Sequence, residues 1–553
     1  MSDPRDIKRL PWWLSMNVLG VLLLSGAFAV SMYRVFTVHE ALFNPNDNII
    51  RISHWQLEAG YREAMDATIK EYEAVQLAKG KHVKVMQMPV TEKLYSQWVN
   101  TNLISGQAPD ICLMGMSAMI NNDQYLARYF VPLTQVVSQP NPYNKGNELE
   151  KTPWRETFFD GMRGQYNVRL QDYFGVPTAA YNVRIFYNKD LLREATGSDA
   201  PPTTFGQLMD ISAKVNELSV RKNKLIIPIA GSSYSINIFQ DRYTAAFTAG
   251  LEPILDVDLD GIISQQEVYI GLVTGKINMH TPQIQQLYEC MRRLCAEFGR
   301  GFGGKDRQTA SFEFAQQRAA MIATGSWDAG SLFLQAKEAG FEVGIFDFPL
   351  PAKDEPFGQY VVGKATEATS GAGGAFGLYK FGRNFDQSLD FLQFLTSKSV
   401  NQTHMNRAEN IPVVLGTEPT GRMSPFTPDP KGFSGRVNFY YGGDVMTRYN
   451  GLVQTYLQGE LGFEEMAENI EGAMRNTAFG GDRAWTLEWD DAVKQSRNQE
   501  RMLAAQVVRE LILGATDAPA KHRQVLLQQV RINNAENQRE RFRQVRGFEL
   551  PEK

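Results

Sequence analysis

A strand, a helix and a second strand follow one another between residues 49 and 90, and this order decides the fold class. The segment 49–55 (IIRISHW) is rich in β-branched residues and predicts a strand. The segment 61–80 has amphipathic helical spacing and ends at a glycine, and 81–90 (KHVKVMQMPV) predicts the second strand. Because strands joined through a helix lie parallel in one sheet, we predict a βαβ unit and an α/β fold.

The length of the chain predicts more than one hydrophobic core. Single cores stop growing near about 250–300 residues, and this chain has 553. With 43% hydrophobic residues, 21% charged residues and a net charge of -4, its surface is that of an ordinary globular protein. Binding of nucleic acid needs a concentrated basic footprint, so we expect no nucleic-acid partner.

The cysteines indicate no disulfide framework. Cys112, Cys290 and Cys295 cannot all pair, and the last two lie on one predicted helix. We expect all three to behave as small buried apolar residues.

An uncharged run covers residues 12–33, with Lys8 and Arg9 before it and Arg34 after it. At about 1.5 Å per residue such a helix is long enough to cross a bilayer. Basic residues before the run place the N-terminus in the cytoplasm and the rest outside. We therefore predict a signal anchor or transmembrane segment over 1–35, followed by a tether over 36–48.

Cleavage of this segment is the alternative. Ala27-Phe28-Ala29 matches the small-residue pattern that signal peptidase recognises, and cleavage there would release a secreted protein. No cysteine lies nearby, which excludes a lipoprotein anchor. In both cases the body faces the periplasm or the cell exterior, either anchored in the cytoplasmic membrane or secreted.

The last part of the chain, 481–553, differs in composition from the rest. It is rich in Gln, Arg, Glu and Ala, with long amphipathic runs, and predicts a helical C-terminal extension. Two interpretations remain open. The extension is either a solvated helical hairpin packed on the second lobe, or a basic helix that touches anionic headgroups or a partner.

Four segments carry a resemblance to a known family. They are the region from Trp55 to SGQAPDI (105–111), FGVPTAAYNVRIFYNKDLL (174–192), QQRAAMIATGSWDAG (316–330) and GGAFGLYKFGRNFDQSLDFLQFLTS (373–397). In order and spacing they resemble the extracellular solute-binding proteins of ATP-driven (ABC) importers. The branch is family 1, which captures sugars and oligosaccharides and is typified by maltose-binding protein. The resemblance covers roughly residues 49 to 475.

The resemblance implies a two-lobed periplasmic-binding-protein fold of type II over 49–480. Its lobes would be interleaved, with crossings near 170–180 and 325–375, and would close over a solute by hinge motion. It also implies the partners, namely a carbohydrate ligand and the ABC permease subunits of the inner membrane. The N-terminal helix would keep the protein at that membrane.

Candidate ligand-binding residues follow from what a sugar site needs, which is flat aromatic faces together with polar groups for the hydroxyls. Trp55 follows the first predicted strand, where open sheets bind ligands, and Glu58 lies just behind it. The segment GSWDAG matches the Gly-x-Trp motif of the family, which implies Trp327 at the cleft with Asp328 beside it.

Further candidates come from the same resemblance. Tyr181 lies in the segment that crosses to the second lobe, and Gly373 belongs to a glycine pair where backbone can approach a ligand. The segment 231–242 lies where members of the family vary most, and it adds Tyr234, Phe239 and Arg242. Weaker candidates are Asp110, Tyr440 and Tyr441. Tyr187 and Asn188 are expected only to join a strand end to a helix start.

A calcium loop is predicted at DVDLDGIISQQE. The sequence fits the EF-hand pattern, with Gly261 in sixth place and Ile263 in eighth. Its ligand positions are Asp256, Asp258, Asp260, Ile262 through its carbonyl, Ser264 and Glu267. The alternative is an Asp-rich turn that closes a hairpin. We expect no required cofactor, and calcium only as a structural clamp.

Catalytic motifs are missing from the sequence. Its six histidines show no metal-ligand spacing, and neither a G-x-S-x-G elbow nor a phosphate loop occurs. A spatial pair of carboxylates, as in a glycosidase, stays open at this stage. We predict a non-enzymatic receptor that captures sugar for import. The alternatives are a membrane-tethered sugar sensor or scaffold and, third, an extracytoplasmic polysaccharide-active enzyme.

Overall fold

The computed structural model describes residues 48–475 with internal gaps, part of the N-terminal run and part of the C-terminal region. The gaps within 48–475 are 58–59, 115–122, 168–169, 171, 257–262, 264, 368–371, 430, 434–436 and 438–442. Outside that range the described residues are 21–22, 24–33, 518–546 and scattered positions between 494 and 514.

The strands of the described residues are short and lie in two main sheets. They are β1 (Asn48–His54), β2 (Val83–Pro89), β3 (Ile111–Leu113), β4 (Tyr166–Asn167), β5 (Asp172–Tyr173), β6 (Ala179–Ala180), β7 (Val183–Asn188), β8 (Ile227–Ala230), β9 (Ala319–Gly325), β10 (Val343–Phe346), β11 (Ala372–Gly373) and β12 (Phe376–Leu378).

The α-helices alternate with these strands and then continue alone towards the C-terminus. They are α1 (Tyr61–Ala78), α2 (Glu92–Ser105), α3 (Asp123–Tyr129), α4 (Thr134–Val137), α5 (Lys189–Thr196), α6 (Phe205–Arg221), α7 (Ser233–Thr248), α8 (Glu252–Leu255), α9 (Gln265–Val273), α10 (Pro282–Cys295), α11 (Arg307–Ala315), α12 (Ala329–Ala339), α13 (Phe385–Leu395), α14 (Lys398–Arg407), α15 (Gly443–Leu457), α16 (Phe463–Arg475) and α17 (Ala518–Arg546).

The first lobe is built on a sheet of order β12-β3-β1-β2. β1 pairs in parallel with β2 and β3, which confirms the predicted βαβ unit. β12 joins antiparallel to β3 from a distant part of the chain. Ile50 and Ile52 of β1 are fully buried in the core of the first lobe, as expected for a sheet covered by helices.

The second lobe is built on a sheet of order β10-β7-β9-β8. β8 and β9 are parallel, whereas β7 runs antiparallel to both β9 and β10. All seven residues of β9 are buried, because helices cover both faces of this central strand. The helices α6, α7, α10, α15 and α16 build most of its core.

The lobes are joined by short crossing segments. β6 and β11 form a two-stranded antiparallel hinge, with Ala372 opposite Ala180. This pair lies at the two predicted crossings. A third crossing was not predicted, and it bridges Ile411 to Ala180 before the chain returns to the second lobe, where Phe426 packs against Phe186. Three segments of chain therefore cross between the lobes side by side.

The ends of the chain bear on two further predictions. Residues 21–22 and 24–33 are helical, and no helix in the described part of the chain is both long and apolar enough to span a bilayer. At the other end α17 contacts α9 of the second lobe, with Ile532 buried. All three cysteines are free and buried, as predicted.

Candidate functional site

A cavity of about 850 Å³ lies between the two lobes. Trp55 and Gln56 reach it from the carboxyl end of β1, and Glu92 from the segment after β2. Trp327 reaches it from the carboxyl end of β9 in the other lobe, and Gly373 from the hinge. The ends of parallel strands meet here because both sheets point their carboxyl edges at the cleft, which is where open α/β sheets bind ligands.

Three aromatic rings form the wall on the side of the second lobe. The centroid of the Trp327 ring lies 5.7 Å from that of Tyr181 and 6.5 Å from that of Tyr234, with interplanar angles of 75° and 69°. Edge-to-face contacts of this kind hold the rings in place. Burial raises the pKa of Tyr234 to about 12, so its hydroxyl stays protonated and able to donate.

Glycines make room for these rings. A Cβ atom at Gly325 would lie 2.2 Å from the Trp327 ring, and one at Gly373 would lie 2.7 Å from the Tyr181 ring. Gly374 is required for a different reason, because other residues rarely adopt its backbone φ of +57°. Gly373 was predicted as a place where backbone approaches a ligand, and it both lines the cavity and accommodates Tyr181.

The side of the first lobe combines one aromatic ring with one amide. The Trp55 ring packs edge-on against Tyr95 at a centroid distance of 5.0 Å. Gln56 Nε2 donates a hydrogen bond to the Tyr181 hydroxyl, which links β1 to the hinge segment. Gln56 Oε1 is buried and has no hydrogen-bond partner among the described residues. A buried acceptor at the cavity wall is available to a hydroxyl of a bound solute.

Ion pairs close the mouth of the cavity between the first turns of α2 and α11. Arg307 Nη2 donates to Glu92 Oε2 at 2.8 Å across the cleft, and Arg307 Nη1 donates to Asp328 within its own lobe. Lys93 Nζ donates to Asp306 Oδ2 at 3.1 Å, again across the cleft. We call these five residues the cleft clamp.

Asp306 of the cleft clamp is an acid with a lowered pKa. Hydrogen bonds from the Thr309 side chain and backbone, followed by the Lys93 ammonium, lower the pKa of Asp306 to about 2. Its Oδ1 accepts from Thr309 N at 2.9 Å, which caps α11. The carboxylate therefore stabilises the start of the helix and pairs with Lys93 at the same time.

Several predicted residues lie away from the cavity. Asp328 is behind Arg307 and accepts from Thr324 Oγ1 at 2.5 Å, so it reaches the cleft only through Arg307. Arg242 does not line the cavity, because its Nη1 pairs with Glu367 at 3.1 Å and its Nη2 donates to Asn182 at 2.9 Å.

Two more candidates, Asp110 and Phe239, do not line the cavity either. Asp110 is buried and accepts from Arg51 N at 2.8 Å, which ties β3 to β1. Phe239 is fully buried in the core of the second lobe. Asn188 accepts from Leu191 N and so caps α5, as expected. Glu58, Tyr440 and Tyr441 lie outside the described residues.

The group around Glu367 is a second set of ion pairs, which we call the lobe-2 network. Arg184 Nη1 and Nη2 donate to the two Glu367 oxygens at 2.7 and 2.9 Å. Arg242 and Asn182 complete it, with Asn182 Nδ2 donating to Glu367 at 2.8 Å. Burial alone would raise the pKa of Glu367, but the hydrogen bonds and charge of Arg184 outweigh burial and hold that pKa below its ordinary value.

The predicted calcium loop is described at Asp256, at the buried Ile263 and at residues 265–267. Asp256 follows α8, and Glu267 is buried in the first turn of α9. Asp258, Asp260, Ile262 and Ser264 lie outside the described residues. Within the part of the chain that is described, no cluster of three or more His, Cys, Asp or Glu is placed to hold a metal ion.

The sequence prediction missed Gln56 as a cavity residue, and of the cleft clamp it included only Asp328. A signal for part of it existed, since Glu92 and Lys93 follow β2 directly and Thr91 begins a helix there. The same rule that selected Trp55 therefore also applied to them. No comparable signal marked Arg307, whose role depends on a partner in the other lobe.

Comparisons with known proteins agree with this architecture. A relative from Escherichia coli K12, described as a putative ABC transporter periplasmic-binding protein YcjN, is 26% identical over 219 residues, 39% of this chain and 42% of that protein. The chain therefore matches less than half the length of this relative.

Solved structures share the fold at lower identity. The GacH receptor of Streptomyces glaucescens, studied unliganded and with acarbose, is 15% identical over 78% of this chain and 98% of its own, with a TM-score of 0.51. A chitin oligosaccharide binding protein is 17% identical over 77% of this chain and 98% of its own, with a TM-score of 0.52. The family model described as bacterial extracellular solute-binding protein matches residues 67–430. The chain thus belongs to the family of bacterial extracellular solute-binding proteins.

Proposed function

We propose that this protein captures a sugar or oligosaccharide outside the cytoplasm and delivers it to the permease of an ATP-driven importer. The observation that carries the proposal is the aromatic cavity between two hinged lobes, with Trp55 on one side and Trp327 on the other. Two indole rings offer flat apolar faces for pyranose rings, and Gln56 Oε1 offers an acceptor for a hydroxyl.

Its volume and relatives support the same proposal. About 850 Å³ lies in the upper part of the range of about 300–1,000 Å³ found for small-molecule sites, which suits a ligand larger than one sugar ring. Acarbose and chitin oligosaccharides, named for two structural neighbours, are carbohydrates of this kind. The family is one of receptors and not of enzymes, so the captured solute should be released unchanged.

The decisive experiment is a calorimetric titration of the full chain in detergent with mono- and oligosaccharides, followed by chromatography of the recovered sugar. Micromolar or tighter binding of a sugar that is recovered intact supports the proposal. A cleaved sugar would identify a polysaccharide-active enzyme instead. No binding across neutral oligomers of glucose, xylose, galactose and N-acetylglucosamine would contradict a carbohydrate ligand.

Trp327→Ala tests the site itself. Loss of a stacking ring that is also held by two tyrosines should weaken binding of the sugar about 100-fold. The matched control is Phe312→Ala, because Phe312 is an exposed aromatic of the same lobe outside the cavity. Equal affinities of the two variants would remove Trp327 from the site.

We further propose that residues 1–35 anchor the protein in the cytoplasmic membrane. The uncharged run with basic residues before it supports this role, and a tethered receptor reaches its permease at a higher effective concentration. Replacing residues 1–35 by a cleavable secretion signal should slow uptake at low sugar concentration. Unchanged uptake by the secreted form would count against an anchor.

A structural calcium ion at Asp256 to Glu267 is a separate proposal. It is supported by the EF-hand spacing and by the start of α9 at Gln265, the tenth position of the loop. We expect calcium to raise the melting temperature and a chelator to lower it. The variant Glu267→Gln should lose this response, and a melting temperature that ignores calcium in the wild-type protein would contradict the site.

A further inference from the structure

The charges at the cavity mouth are balanced across the two lobes. Glu92 and Lys93 open α2 in the first lobe, and Asp306 and Arg307 open α11 in the second. Each cation donates to a carboxylate of the opposite lobe, Arg307 to Glu92 at 2.8 Å and Lys93 to Asp306 at 3.1 Å. Two helix N-termini that face each other repel through their dipoles, and the two carboxylates offset that repulsion.

Lys93 and Arg307 are the only Lys or Arg among the described residues that line the cavity. Arg307 is largely buried and holds a second carboxylate, Asp328, on its other nitrogen. A guanidinium is the group best suited to bind the carboxylate of a solute in bidentate geometry. In Arg307 both terminal nitrogens already donate to carboxylates of the protein, Nη1 to Asp328 and Nη2 to Glu92.

An anionic solute would therefore meet an unfavourable site. It would have to displace Glu92 or Asp328 from Arg307, and the displaced carboxylate would remain close by as a like charge. A neutral solute displaces nothing and leaves the contacts between the lobes in place. The same ion pairs thus favour closure over an uncharged ligand and oppose closure over a charged one.

We propose that the Glu92–Arg307–Asp328 group is a charge filter that restricts the cavity to uncharged carbohydrate and excludes uronates, with Glu92 as the specificity-determining residue. The inference rests on the proposed function and goes one step further, from carbohydrate to neutral carbohydrate. Glu92 contributes from the lobe opposite Arg307, so it neutralises the guanidinium only when the cleft is closed.

The test is a gain of binding in the variant Glu92→Gln. This change leaves Arg307 paired with one carboxylate, Asp328, and makes its Nη2 available to an anionic ligand. We expect affinity for trigalacturonate to rise at least about 10-fold over the wild-type protein, and to fall again as salt is added. Inorganic phosphate serves as a second probe that needs no sugar recognition, and its binding should rise as well.

The matched control is Glu71→Gln. Glu71 also pairs with an arginine, Arg407 at 2.7 Å, but within the first lobe and away from the cavity. The Glu71→Gln variant should therefore gain affinity for neither trigalacturonate nor phosphate. If Glu92→Gln gains neither phosphate nor trigalacturonate binding, the filter is overturned, whatever neutral sugars do. If it gains phosphate binding while no sugar binds at all, the filter stands and the proposed carbohydrate function fails.

A second readout separates the filter from a purely structural role. Arg307→Gln leaves Glu92 and Asp328 without their shared cation, so the unliganded protein should open and its radius of gyration in X-ray scattering should increase. Arg307→Lys keeps the charge and should restore part of the closed population. Variants of equal radius and equal melting temperature would show that Arg307 does not join the lobes.

Discussion

The lobe-2 network and the cleft clamp are both built from arginine and carboxylate, yet they differ in depth and in connectivity. In the lobe-2 network the side chains of Arg184 and Glu367 are only 4% and 3% exposed. In the cleft clamp Glu92 is 31% and Lys93 is 73% exposed. The partners of the first group all belong to one lobe, whereas two pairs of the second, Arg307 with Glu92 and Lys93 with Asp306, join two lobes.

This difference teaches what each group can do. A buried ion pair whose partners never separate becomes part of the fold, since loss of one partner leaves an uncompensated charge in a place that water cannot reach. An ion pair between two moving bodies forms and breaks with the motion, and exposure to water keeps the cost of breaking it small. The lobe-2 network should therefore control stability, and the cleft clamp should control conformation and ligand choice.

The largest expected effect is on stability. Glu367→Gln leaves the buried Arg184 and the partly buried Arg242 without this carboxylate, and we expect the free energy of unfolding in urea to fall by about 3–5 kcal/mol. The matched control in the same lobe is Glu342→Gln, which breaks only an exposed pair with Lys189. If both variants unfold at the same urea concentration, the burial of the lobe-2 network has no energetic weight.

The next effect is a loss of stability at low pH, which we assign to a pair of buried histidines and not to the lobe-2 network or the cleft clamp. His54 and His404 both contact the Tyr61 ring in the first lobe, at centroid distances of 5.4 and 5.6 Å. Burial lowers the pKa of each to about 4, below the ordinary value of 6.5. The unfolded chain therefore binds these protons first, so stability is full above pH 6.5 and falls as the pH drops towards 4.

We expect each histidine to cost about 2–3 kcal/mol of unfolding free energy between pH 7.5 and pH 4.5. His404→Gln should flatten the curve by the share of one histidine, as measured by urea unfolding at several pH values. The pKa of Glu367 is lowered and that of Asp306 is about 2, so these two carboxylates stay mainly ionised in that window. A flat curve in the wild-type protein would refute the assignment.

Sequence reasoning succeeded where the signal is local. The β1-α1-β2 unit was predicted from periodicity over adjacent residues, and Trp327 from a short motif, and the structure places Trp327 at the cavity. It failed where the decisive partner is remote. Nothing near Arg242 in the sequence announces that Glu367 occupies its guanidinium, and nothing near Glu92 announces Arg307.

The fold shows the same limit. The antiparallel strand β12 and the third crossing both join segments that are far apart in the chain, so local patterns carry no information on their pairing. The hinge could be placed near β6 only because the resemblance to a family supplied the topology. Periodicity alone leaves the number of crossings open.

A smaller effect is expected from the uncharged hydrogen bond between Gln56 and Tyr181, which joins the first lobe to the hinge. Tyr181→Phe removes the hydroxyl that accepts from Gln56, and the loss of one hydrogen bond of about 1 kcal/mol should weaken sugar binding about fivefold. Because no charge is involved, the loss should be the same at low and high salt. Tyr187→Phe is the control, since its hydroxyl donates to Asp199 within the second lobe at 3.0 Å. Equal affinities of the two variants would show that the Gln56 contact is not made in solution.

The smallest effect tests whether, within the cleft clamp, the more exposed ion pair contributes less to sugar binding than the buried one. Lys93 and Asp306 are 73% and 46% exposed, whereas Arg307 is 15% exposed. Water screens the outer pair, so Lys93→Gln should weaken sugar binding by no more than about threefold and leave the exclusion of trigalacturonate intact. Calorimetric titration at low and high salt measures both quantities. A loss as large as that of Arg307→Gln would mean that closure depends on the charge of the whole cleft mouth and not on the buried guanidinium, and the contrast between exposed and buried pairs would then fail within the clamp.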